Sequence, residues 1–102
     1  MIIYNVTVKV DLDIAADWVQ WMQEEHIPDL MKTGLFTGYQ LCRILEQDES
    51  EGITYTAQYF CTSLREYESY IQQYAETMRE KGLQKFGGKF IAFRTVMEKI
   101  SS

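Results

Sequence analysis

Basic runs, phosphate-cradling glycine loops and long apolar stretches are all missing from this 102-residue chain, and each absence removes a class of function. Ten Lys and Arg stand against fifteen Asp and Glu, a formal net charge of −5, and no cationic cluster is present. Nucleic acid and anionic membrane surfaces both reward basic patches, so neither is an expected partner. No segment approaches the ~20 apolar residues of a spanning helix. The opening Met-Ile-Ile-Tyr-Asn-Val lacks the charged and apolar regions of a signal peptide, so a cytoplasmic protein is expected. Gly87-Gly88 precedes a strand rather than a helix N-terminus, which reads as a turn and not as a phosphate loop. With one histidine and no CxxC or HExxH spacing, no metal site is expected, and no cofactor motif is present. Cys42 and Cys61 are expected to be free thiols, because a hairpin through this region pairs position 42 with about position 57 and leaves Cys61 out of register.

What is present suits one compact domain over residues 1–102: 46% hydrophobic, 14% aromatic and 25% charged residues. Residues 2–10 are β-branched and alternate, with Tyr4, Val6, Val8 and Val10 on one face and Asn5, Thr7 and Lys9 on the other, which predicts a strand. Asp11 and Asp13 offer an N-cap for a helix that runs to Lys32-Thr33-Gly34. Extended runs at about 37–46 and 53–62 flank the acidic loop Gln47-Asp-Glu-Ser-Glu-Gly52, the pattern of a hairpin. Ser63 and Glu66 have capping-box spacing, and Leu64, Tyr67, Ile71, Tyr74 and Met78 keep the helical period up to Lys81-Gly82. A short connection leads to a last strand at about 89–97. The order βαββαβ predicts an α+β ferredoxin-like sandwich, with a four-stranded antiparallel sheet of order 4-1-3-2 and both helices on one face.

The stretch Trp18-Val-Gln-Trp-Met-Gln-Glu-Glu-His-Ile-Pro-Asp-Leu-Met31 carries the most chemistry. Ile14, Trp18, Met22 and His26 repeat at i, i+4, so an apolar stripe leads to the only imidazole, and the only proline follows two residues later. Pro28 disfavours helical geometry at Ile27 and predicts a kink or restart beside His26. An imidazole there can serve as an acid or base; it can equally be a hydrogen-bonded core or cap residue. Tyr67, Tyr70 and Tyr74, with Tyr55 and Tyr59, can wall an aromatic pocket or simply pack. Arg43 and Arg94, on a half-buried sheet face, each need a carboxylate, whether internal, on a partner, or on an anionic ligand.

The face of the sheet away from the helices is expected to collect Asn5, Thr7, Thr56, Gln58 and Phe60 with Tyr39, Leu41, Arg43, Leu45 and, by one choice of register, Phe90 and Arg94. Such an apolar patch exceeds what monomers usually expose, which predicts a homodimer closed through the open sheet face into an α/β barrel.

The segments Met1-Ile-Ile-Tyr-Asn-Val-Thr-Val, Trp21-Met-Gln-Glu-Glu-His-Ile-Pro28, Leu41-Cys-Arg-Ile-Leu45 and Lys85-Phe-Gly-Gly-Lys-Phe-Ile-Ala-Phe-Arg-Thr95 resemble the DUF4286 family of small bacterial proteins. The His-x-Pro at the end of the first helix is similar to that of dimeric α/β-barrel proteins, among them cofactor-independent monooxygenases and isomerases. That resemblance implies a pocket between helices and sheet; it transfers no catalytic role. The resulting expectation is a site with His26 as proton donor or acceptor and Trp21, Glu25, Tyr67, Tyr70, Arg43 and Arg94 around a small organic ligand. A non-catalytic self-associating module is the competing reading.

Overall fold

Alternating β-branched residues make the first strand, and in the computed structural model, which describes residues 1–102, that strand is β1, Ile2–Asp11. It lies at the centre of the sheet. β3 (Gly52–Cys61) pairs antiparallel on one side of it and β4 (Phe90–Glu98) on the other, while β2 (Gly38–Arg43) is hydrogen-bonded to the far edge of β3. The order β2-β3-β1-β4 is the expected 4-1-3-2 read from the opposite edge, and the fold is ferredoxin-like.

Four helices, α1 (Ala15–Trp21), α2 (Ile27–Lys32), α3 (Leu64–Gln73) and α4 (Ala75–Phe86), supply the second layer. The register sets Tyr4 opposite Tyr59 and Val8 opposite Tyr55, so these four side chains share one face. Trp18 of α1 stacks on Tyr55 with ring centroids 5.1 Å apart, and Tyr70 of α3 meets Tyr4 at 5.6 Å. Both helical segments therefore cover the same side of the sheet. Val10, Ile27, Leu30, Tyr59 and Cys61 are fully buried between the layers. Each aliphatic or aromatic side chain so enclosed contributes ~1.5–3 kcal/mol. Cys42 is exposed and Cys61 buried, both as free thiols. No helix is long and apolar enough to cross a membrane.

The first helical segment answers Pro28 with the restart rather than the kink, although Ile27 itself keeps helical geometry (φ −61°, ψ −47°). Between α1 and α2 the chain makes a π-helical turn over Met22–His26, in which the Ile27 amide donates to the Met22 carbonyl five residues back. Proline then occupies the first turn of α2, where its missing N–H is tolerated.

The second helical segment also departs from expectation. It breaks at Tyr74 (φ −127°, ψ −30°), restarts as α4, passes through Gly82, and ends only at Gly87, whose φ of +61° suits glycine. Gly82 lies inside α4 and does not end it: a Cβ there would make ordinary contacts, 3.5 Å from Trp21 Cη2 and 3.7 Å from Phe90 Cζ. Ser63 hydrogen-bonds the Glu66 carboxylate but makes no side-chain bond to the helix backbone, so the capping box is only half formed.

The side-chain parity of β2 and β4 corrects the expected open face. Tyr39 pairs with Tyr59, Leu41 with Ala57 and Arg43 with Tyr55, while Phe90 pairs with Val10 and Arg94 with Val6. All five therefore belong to the helix side, and Leu45 lies beyond the end of β2. The open face instead carries Ile3, Phe60, Ile91, Phe93 and Met97 around a polar row. In that row Gln40 donates to Gln58 at 2.7 Å, Gln58 donates to Asn5 at 3.3 Å, and Asn5 donates to Thr95 at 3.2 Å, one residue from each strand.

Two glycines separate backbone from packing effects. Adding a Cβ at Gly52 places it 2.7 Å from the Val10 carbonyl oxygen, so Gly52→Ala is expected to cost ~1–3 kcal/mol and lower the melting temperature by several degrees. Gly82→Ala meets only ordinary contacts and gains up to ~1 kcal/mol of helix propensity, so its melting temperature is expected to hold or rise.

Candidate functional site

Between the helical layer and the β1–β4 half of the sheet lies a cavity of about 60 Å³. Its walls come from every layer: Trp18 and Trp21 of α1, Met22 and His26 of the π-turn, Leu30 of α2, Tyr70 of α3, Met78, Arg79 and Gly82 of α4, with Tyr4, Tyr59, Phe90 and Arg94 from the sheet. That volume admits a few waters, and its largely apolar lining suits an apolar body.

The π-turn delivers His26 to this cavity. His26 is half-buried, and its ring stacks on Trp21 with centroids 4.6 Å apart and planes inclined by 24°. The edge of Phe86 packs against Trp21 from another side, at 5.5 Å and 79°. His26 Nδ1 is the one buried side-chain nitrogen or oxygen in the protein without a hydrogen-bond partner. Native proteins rarely leave such an atom unpaired, and doing so costs ~1–3 kcal/mol.

Burial is the main reason that the His26 pKa falls from 6.5 to about 4. Asp29 opposes the fall, but Lys81 donates to the Asp29 carboxylate at 3.4 Å, and Lys81 and Arg94 themselves disfavour a second cation nearby. The imidazole is thus neutral at pH 7. Burial likewise pushes the Tyr59 and Tyr70 hydroxyls well above the usual phenol range, so both stay protonated and able to donate.

Of the residues singled out in the sequence, Trp21, His26, Tyr70 and Arg94 converge on the cavity. Three do not. Glu25 is on the outer side of Trp21, in surface grooves shared with Glu24 and Lys85. Tyr67 packs against Tyr4 at 5.5 Å without lining the cavity. Arg43 is exposed at the hairpin, where its Nε donates to Glu49 at 3.0 Å, the internal carboxylate partner that its charge requires. Tyr4, Tyr59, Met78, Arg79 and Phe90 are among the other lining residues; Tyr4 was legible only as a core residue of the first strand, and Arg79 carried no periodic signal. No three His, Cys, Asp or Glu side chains converge as a metal-ligand set.

Residues 1–100 match the family described as "Domain of unknown function (DUF4286)". No curated protein matches the sequence. Among crystal structures, the chain is similar to a dimeric ferredoxin-like protein from an uncultured marine organism (TM-score 0.71, 12% identity, covering 99% of this chain and 96% of that one). It is also similar to SnoaB, a cofactor-independent oxygenase from Streptomyces nogalater (TM-score 0.70, 11% identity, 99% and 95%). A third likeness is to an ethyl tert-butyl ether (EthD) family protein from Bacillus halodurans C-125 (TM-score 0.67, 15% identity, 98% and 100%). At these identities the likeness establishes the fold alone.

The buried neutral imidazole has a signature in stability. Its folded pKa lies below the unfolded value, so the unfolded chain binds the extra proton between about pH 6.5 and about 4. Stability is complete above that window and is lost as pH falls through it. Denaturant unfolding of the wild type is expected to lose ~2 kcal/mol between pH 7 and pH 5. His26→Phe, which keeps the stack on Trp21 without a titrating group, is expected to be flat over the same interval. A wild-type profile as flat as the variant's would mean that the imidazole charges freely.

Proposed function

The chain belongs to the DUF4286 family, and from that premise we propose that it binds a small, largely apolar organic molecule in the cavity beneath α1 and α4, with His26 as proton acceptor. One observation carries this reading: a shielded imidazole nitrogen without a partner, on the wall of an apolar cavity. Neutral at pH 7, His26 takes up a proton from an acidic hydroxyl or an enolisable position, and the anion formed beside it raises the imidazole's affinity for that proton. Trp21 and the tyrosines act as walls, and the Tyr59 and Tyr70 hydroxyls donate to a developing oxyanion. SnoaB, described as a cofactor-independent oxygenase, has the same fold, which makes chemistry without a bound cofactor compatible with this scaffold. The protein acts in the cytoplasm in this reading.

A thermal-shift screen of aromatic and quinone-like molecules tests the pocket. A ligand at a hundredfold its Kd stabilises by ~2.7 kcal/mol, a rise of ten degrees or more for a domain this size. Hits are expected to shift the NMR signals of the Trp21 and Trp18 indoles. A library that never moves the melting temperature, or hits that move only residues of the open sheet face, would contradict the proposal.

The same reading includes a homodimer through the open face. Phe93 and Ile91 on β4 are 69% and 62% exposed, and Met97 and Phe60 extend the apolar surface across the sheet. The marine relative is described as dimeric. Because Leu41 packs against the core on the helix side, Leu41→Lys is expected to impair folding, whereas Phe93→Lys is expected to convert a dimer to a folded monomer. Sedimentation of the unmodified protein as a species of about 12 kDa at micromolar concentration would defeat the dimer.

A further inference from the structure

Two cations on the wall of the cavity have no carboxylate partner. Arg79 projects from α4 and Arg94 from the helix side of β4, and both line the same apolar cavity. The protein's ion pairs are Arg43 with Glu49, Lys81 with Asp29 and Lys89 with Asp13. Neither Arg79 nor Arg94 takes part in one, although the chain holds fifteen acidic side chains and is net negative. Both guanidinium groups are also close enough to Tyr70 to favour loss of its proton, against the stronger effect of burial, so they meet around one phenol. The two arginines are exposed while the wall behind them is aromatic and buried: Tyr4, Tyr59 and Tyr70 are 2%, 1% and 2% exposed.

Resting on the pocket proposed above, we infer that its ligand is an aromatic carboxylic acid, held with the edge of its ring against the apolar wall of the cavity and its carboxylate between the exposed Arg79 and Arg94. The arrangement divides the ligand by polarity. Planar guanidinium forks match a planar carboxylate with two parallel donors each, which a point-charge lysine does not. An apolar body without the charge gains nothing from two solvated cations. The anion also closes a gap in the electrostatics of the site. Arg94 disfavours a charged imidazole in the empty protein, so a carboxylate that neutralises Arg94 makes it easier for His26 to hold a proton.

The test uses a matched pair of one-ring probes, benzoate and its uncharged analogue benzyl alcohol, titrated by NMR into wild type, Arg79→Gln and Arg94→Gln. Both positions are exposed, so the variants are expected to melt with the wild type. Wild type is expected to bind the acid at least about tenfold more tightly than the alcohol. Each variant is expected to lose about that factor for the acid and to leave the alcohol unchanged. If the alcohol binds as well as the acid, or if both variants retain full affinity for the acid, the carboxylate assignment is overturned while the pocket survives. If neither probe shifts a cavity residue in the wild type, the pocket itself fails for aromatic ligands, and this assignment with it.

Discussion

A single backbone constraint organises the helical layer. Pro28 cannot donate to the turn before it, and the chain answers with the π-turn of Met22–His26 in place of a break. A π-turn adds one residue to a helical turn and so rotates the side chains on its two sides relative to each other. Trp18, Trp21 and Met22 remain buried ahead of it, Ile27 and Leu30 are buried after it, and His26, the last residue of the turn, is laid face to face on Trp21 above the cavity. The insertion keeps both apolar stripes on the sheet while placing one polar ring where no regular helix would supply it a partner. π-turns recur at functional sites for this reason.

Trp21 is the second member of that arrangement and links it to α4. Its ring stacks on His26, takes the edge of Phe86 and lies near Gly82, where a Cβ would stand 3.5 Å from the indole. A residue larger than alanine there would meet the indole and Phe90, displacing the wall of the cavity. The same ring separates the inner cavity from the acidic grooves outside, which is why Glu25, next to His26 in sequence, faces solvent. Neighbours in a helix point about 100° apart, and here the two directions fall on opposite sides of one indole.

Most of the fold was legible because period and punctuation agree along the chain: β-branched alternation in β1, an acidic loop before Gly52, and helical spacing from Leu64 to Met78. The strand order followed from that pattern. Parity on β2 and β4 did not, since Tyr39-Gln-Leu-Cys-Arg43 and Phe90-Ile-Ala-Phe-Arg94 carry large side chains on both faces, and only the register against Tyr59 and Val6 decides between them. Gly82 illustrates a second limit. Lys81-Gly82 has the form of a helix stop, yet α4 runs on through it to Gly87, whose positive φ marks the actual end. Of the site, His26, Trp21, Tyr70 and Arg94 were identifiable from the stripe and from charge on a strand. Arg79 was not, because on an exposed helix surface an arginine is indistinguishable from a solvated one until its neighbours are known.

The proposed reading turns on the state of one ring. His26 is the only histidine, so its imidazole nitrogens can be followed by ¹⁵N NMR without assignment ambiguity. The neutral form is expected to persist down to pH 5, with two well-separated nitrogen resonances that merge toward the cation only about a midpoint near 4. A midpoint at or above the free-imidazole value of ~6.5 would contradict it, because a ring that charges there is solvated or paired and is not the shielded proton acceptor of an apolar site.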